Sequence, residues 1–168
     1  MTHLYLKIID TVAANRERFV TEGLPVPMVA LYAGQPDAPQ AFEFTTPAIF
    51  VDYRIKWAQG NHNARTGEVV VDIHVLMDPV PGTESFSERR AEGLQKLRFY
   101  ELVGEVLDGI NSETTGTLAL TGEEPMQTEY FCYHVLHFTC NTVREKRASQ
   151  RLTAAKATPK ITINGRDI

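Results

Sequence analysis

The sequence predicts an α+β domain, an antiparallel β-sheet with long hairpins packed by an N-terminal helix and one long central helix. Three observations predict it. Residues 48–57, AIFVDYRIKW, alternate apolar and polar side chains with a period of two. Residues 67–78, GEVVVDIHVLMD, repeat that alternation after a short loop. Residues 85–111 carry apolar side chains at helical spacing. With 168 residues, 43% hydrophobic and 23% charged, the chain is long enough to bury a core without disulfide or metal staples.

The elements follow in order. Leu4, Ile8, Ile9, Val12 and Phe19 recur at three- and four-residue spacing and predict one amphipathic helix over 3–21, stopped by Gly23 and Pro25. The Pro- and Gly-dense stretch 23–44 allows a short strand at Met28–Tyr32 on an edge path. Pro47 opens the first long strand. Its Ile49, Val51, Tyr53, Ile55 and Trp57 point one way, with Asp52, Arg54 and Lys56 opposite. In the second strand Val69, Val71, Ile73, Val75 and Met77 share a face. Asp52 and Asp72 then fall among Arg54 and Lys56, which reads as cross-strand ion pairing worth ~0.2–1 kcal/mol. The loop 58–66 closes this pair into a long hairpin.

Pro79, Pro81 and Gly82 break the strand, and Ser85 with Glu88 reads as a capping box. The central helix runs on to about Asn111. Leu94, Leu97, Phe99, Leu102, Val103, Val106, Leu107 and Ile110 form its apolar stripe, with Lys96, Glu101 and Glu105 among the residues on its polar side. TLAL (117–120) predicts a short strand, GEEPMQ (122–127) a loop, and 129–142 the last long strand. Both faces of that strand are apolar over its first half, so burial on both sides is expected there. Residues 1–142 thus read as one domain and 143–168 as a basic extended arm, in which ITING (161–165) has strand-forming character.

Charge separates these two parts. From Arg144 onward there are seven basic and two acidic residues, a formal +5; the preceding 143 residues hold ten basic and nineteen acidic ones, a formal −9. A basic arm on an acidic body suits contact with nucleic acid, with the acidic face of a second copy, or with solvent alone. The arm has no aromatic residue for base stacking, so any DNA contact through it is electrostatic and strongly salt-dependent. No apolar run approaches the ~20 residues of a membrane span, and residues 1–10 carry no signal-peptide pattern.

The usual catalytic constellations are missing from the sequence: no Gly-rich phosphate loop, nucleophile elbow, HExxH or CxxC motif occurs. Cys132 and Cys140 share a strand face but stand roughly 26 Å apart at ~3.3 Å per residue, too far to pair. They read as reduced thiols. His134 and His137 fall on opposite strand faces and cannot share a metal; His74 and His134 can meet across strands, but without a further ligand. No catalytic, cofactor-binding or metal-binding residue is predicted, and the chain does not read as an enzyme. The candidate interaction residues are the hairpin tip (Gly60, Asn61, His62, Asn63, Arg65), the loop acids Glu123 and Glu124, and the arm (Arg144, Lys146, Arg147, Arg151, Lys156, Lys160).

The order of an N-terminal helix, the strand TPAIFVDY, the strand VVVDIHVLMD, the helix YELVGEVLDGIN and a last strand ending HFTC resembles tail-terminator (tail-completion) proteins of tailed bacteriophages and prophages. The likeness covers roughly residues 3–142. It implies a structural subunit of the virion, present in the host cytoplasm during assembly. Such a subunit forms a ring, usually hexameric, that caps the tail tube and meets the neck or head. The implied partners are other copies of the chain, tail-tube proteins and neck or connector proteins, with DNA passing through the lumen unbound. A head–tail connector, a tail-tube protein and a nucleic-acid-binding module using the arm are the alternatives.

Overall fold

A computed structural model describes residues 1–58, 64–79, 83–145, 162–163 and 166–167. Among them, α1 (Thr2–Ala14) and α2 (Arg16–Thr21) lead into β1 (Met28–Leu31), β2 (Ala48–Trp57) and β3 (Ala64–Met77). The long helix α3 (Arg90–Leu107), β4 (Ala119–Met126) and β5 (Cys132–Glu145) follow, and two-residue strands β6 (Thr162–Ile163) and β7 (Arg166–Asp167) pair with each other. The main sheet has the order β1-β2-β3-β5-β4. Its four longer strands are antiparallel, and β1 adds to β2 in parallel, so the sheet is mixed. No helix among the described residues is long and apolar enough to cross a membrane.

The main core lies between the helices and one face of the sheet. Leu4, Ile8 and Val12 of α1, Phe19 of α2 and Phe99, Leu102, Val103 and Leu107 of α3 pack on Ile49, Val51, Val69, Val71, Ile73, Val75, Leu136 and Phe138. On the opposite face a smaller cluster forms at one end, where Ala48, Phe50, Leu76, Tyr133 and Val135 meet Tyr32, Phe44 and Phe131. The β1–β2 connection supplies Tyr32 and Phe44 of that cover, and the β4–β5 connection supplies Phe131. The Phe44 ring stands edge-on to Phe50, with centroids 5.2 Å apart. Both faces are therefore buried in the first halves of β2 and β5. The two-sided apolar pattern predicts this for β5, whereas the alternation of β2 predicts a solvated second face, and Ala48 and Phe50 are covered there instead.

Several boundaries differ from the sequence reading, each for a local reason. The N-terminal helix is two helices broken at Asn15, whose side-chain amide donates to Thr11 O at 2.9 Å and competes with the helical ladder. The Ser85–Glu88 capping box does not form. Helix α3 starts at Arg90, with Ser87 Oγ accepting from Arg89 N at 3.1 Å. It stops at Leu107 instead of Asn111, because Gly109 turns at φ 82° and Asp108 Oδ1 accepts from Leu120 N at 2.9 Å. Segment 122–126 is strand, not loop, and only Gln127 lies beyond it: β4 continues past a bulge at Thr121 to Met126. Pro125 is tolerated there because β4 is an edge strand.

Candidate functional site

The outer face of the sheet, away from the helices, carries a polar row across four strands. Asp72 on β3 is buried. It accepts from Arg54 Nη2 on β2 at 2.7 Å, and its other oxygen lies 2.7 Å from His137 Nδ1 on β5. His137 Nε2 in turn lies 3.4 Å from Glu124 Oε1 on β4. The register places Asp52 directly opposite Asp72, so Arg54 and His137 flank a pair of like charges. The ion pairing expected on this face is present between Arg54 and Asp72, and His137 hydrogen-bonds the second Asp72 oxygen.

Farther along the same face, His74 sits under the β1–β2 connection. Tyr32 stacks on its ring with centroids 4.1 Å apart, and Tyr133 Oη lies 2.5 Å from His74 Nδ1. His74 Nε2 is buried without a hydrogen-bond partner among the described residues. Burial pushes the His74 imidazole below its usual range, against the pull of Asp72, Asp52 and Asp37. Burial likewise pushes the Tyr133 phenol up. The arrangement is an aromatic clasp holding the 32–47 segment on the sheet.

His134 does not meet His74. Val135 stands opposite His74 in the ladder, and His134 stands opposite Val75 on the helix-facing side. There it stacks on Tyr100 of α3 with centroids 4.6 Å apart, and its buried Nε2 has Glu123 Oε2 at 3.4 Å without hydrogen-bond geometry. Among the described residues no group of three or more His, Cys, Asp or Glu side chains could hold a metal ion.

The interaction residues expected from sequence divide into three groups. Gly60, Asn61, His62 and Asn63 of the hairpin tip lie outside the described residues, as do Lys146, Arg147, Arg151, Lys156 and Lys160 of the arm. Glu123 and Glu124 are exposed on edge strand β4 and project to opposite faces, toward His134 and His137. Arg65 and Arg144 are brought together. They are direct cross-strand partners at the far end of β3 and β5, both exposed, and form no ion pair among the described residues. Arg144 is thus part of the sheet instead of the start of an arm. Beside it a cavity of about 320 Å³ is lined by Met1, His3, Trp57 and Val143.

Sequence reasoning placed a short edge strand at Met28–Tyr32, where β1 lies, but read most of the other open edge, β4, as a loop. Strand β1 presents Leu31, 48% exposed, on one side, and every residue of β4 is exposed on the other. The signal for β4 was the apolar pair Leu118 and Leu120 leading into it, masked by Gly122 and Pro125. Comparison with protein-family models finds no match, and comparison with curated proteins finds none.

Proposed function

We propose that this protein is a ring-forming structural subunit of a phage tail, of the tail-terminator type, joining the tail tube to the neck or head. The observation that carries the reading is the pair of unlike open edges, β1 and β4, at opposite sides of one sheet. A contact between two different surfaces of identical subunits is heterologous, and it closes into a ring when its rotation divides the circle. Strands β3 and β5, each 14 residues long, give the sheet a span of roughly 46 Å, at ~3.3 Å per residue, on which neighbours can be seated. The formal −9 of residues 1–143 suits a lumen that lets DNA pass unbound.

The test is the mass of the purified chain in solution by light scattering, near physiological and at low salt, alone and with tail tubes. A closed oligomer, or a monomer that becomes one on tubes, supports the reading. A monomer under every condition overturns it. One observation favours a second reading, a nucleic-acid-binding module: the Arg65–Arg144 doublet, without an ion-pair partner among the described residues, adjoins the basic C-terminal stretch in sequence. That reading requires DNA affinity that falls steeply with salt.

A further inference from the structure

Lys96 occupies a position that the helical pattern assigns to solvent, yet its side chain is buried, at 7% exposure. Its Nζ lies 2.7 Å from Sγ of Cys132, the first residue of β5. A buried amine ordinarily finds a carboxylate. Among the described residues no carboxylate forms an ion pair with Lys96, and the Cys132 sulfur is its hydrogen-bond partner. Both side chains border a cavity of about 350 Å³ that is also lined by Thr83, Gly93, Leu97 and Tyr100. That is ample for a small oxidant, since a water-sized molecule occupies ~30 Å³. Cys132 is itself partly exposed, whereas Cys140 is buried in the main core.

We propose that Lys96 and Cys132 form a redox-controlled cross-link site, in which a peroxide drives formation of a sulfur–nitrogen bond between α3 and β5. In the first step the Cys132 sulfur attacks one peroxide oxygen. An S–O bond forms, the O–O bond breaks, and for hydrogen peroxide the second oxygen leaves as water; the sulfur gives up two electrons and becomes a sulfenic acid. In the second step the Lys96 nitrogen attacks that sulfur. The S–N bond forms, the S–O bond breaks, and the hydroxyl leaves as water with a proton from the amine. The product is a sulfenamide, and a thiol reductant returns it to free amine and thiol.

Cys140 supplies the internal comparison. Burial pushes its thiol up, opposed by a hydrogen bond with Thr115, and it has no amine neighbour among the described residues. Since the thiolate is the reacting form, this site is the slower of the two. The proposal does not depend on ring assembly, because both residues belong to one chain.

The experiment treats the purified full chain with hydrogen peroxide, then measures intact mass and maps peptides without reductant. The expected product is lighter by two hydrogen atoms, joins the Lys96 and Cys132 peptides, and is released by dithiothreitol, with Cys140 reacting at least about tenfold slower. In Lys96→Met, or Lys96→Arg should the first variant fold poorly, dimedone captures a Cys132 sulfenic acid in place of the cross-link. The proposal is overturned if the wild-type chain carries Cys132 to sulfinic acid with no joined peptide. It is also overturned if Cys140 oxidises as fast as Cys132.

Discussion

Trp57 lies over Gly67. The two residues are direct partners in the β2–β3 ladder, and a Cβ on Gly67 would stand 2.8 Å from Trp57 Cε3 and 3.1 Å from Ile55 Cγ2. The absence of a side chain at position 67 is what lets the indole cross the strand. Gly67→Val forces the ring off its neighbour at a cost of about 1–3 kcal/mol, the range for overpacking a filled site. Because the chain has one tryptophan, its fluorescence reports this site alone. Urea unfolding followed by that fluorescence should show a lower midpoint and a red-shifted native spectrum. An unchanged midpoint would show that the indole has room to move.

Arg98 on α3 ties the two helical segments together. Its Nε and Nη2 donate to the Glu22 carboxylate at 2.5 and 2.9 Å, and its Nη1 donates to Glu105 at 2.7 Å. Arg18 of α2 also pairs with Glu105. Hydrogen bonds from Arg98, foremost, hold the carboxyls of Glu22 and Glu105 below their usual range. A carboxyl lowered in the folded state contributes stability above its unfolded pKa, and that contribution is lost as pH falls through the folded value. Stability should therefore decline in the acid range, below about pH 4.5, and Arg98→Met should reduce that decline while lowering stability at neutral pH. Denaturation midpoints at neutral and acid pH check both. Equal acid sensitivity in the variant would remove Arg98 as the cause.

Strand existence and facing were legible wherever a two-residue period ran unbroken, as in residues 48–57 and 69–77. The pattern fails where a polar residue is buried by tertiary contact. Lys96 reads as solvent-facing because charge is the only local signal, and the Cys132 sulfur that receives it is 36 positions away. Leu97 errs in the other direction. It belongs to the predicted apolar stripe, but it is 57% exposed because the buried arc of α3 runs through Phe99, Leu102, Val103, Val106 and Leu107. Glu123 and Glu124 read as loop acids because Gly122 and Pro125 flank them, and only pairing with β5 makes that segment a strand. The Arg65–Arg144 contact joins positions 79 apart and leaves no trace in either neighbourhood.

His74 gives the fold a second pH dependence, in a different window. Burial lowers its imidazole pKa in the folded state, so the unfolded chain binds a proton first as pH falls. Stability should therefore drop as pH decreases below about 6.5, the usual histidine value. His74→Phe keeps a ring against Tyr32 and removes the titration, so its melting temperature should change less between neutral pH and about pH 5. Circular dichroism melts of the two proteins compare the slopes directly. Parallel slopes would assign the pH dependence to the other histidines.

Arg65 and Arg144 place two positive charges directly opposite each other, an arrangement that costs stability in an isolated sheet. With no carboxylate paired to either among the described residues, the doublet is best satisfied by a negative surface on another molecule. In the proposed ring that surface is the acidic body of the neighbouring subunit. Arg65→Glu with Arg144→Glu should leave the monomer folded, since both residues are exposed. The double variant should weaken self-association by about tenfold or more, an effect equivalent to ~1.4 kcal/mol, and should abolish the salt sensitivity of assembly. Truncation after Glu145, which keeps β5 whole, separates the doublet from the basic residues that follow it. Sedimentation of the wild type, the double variant and the truncation then decides between the surfaces. If the truncation loses assembly and the double variant keeps it, the contact lies in residues 146–168 and the doublet is merely tolerated.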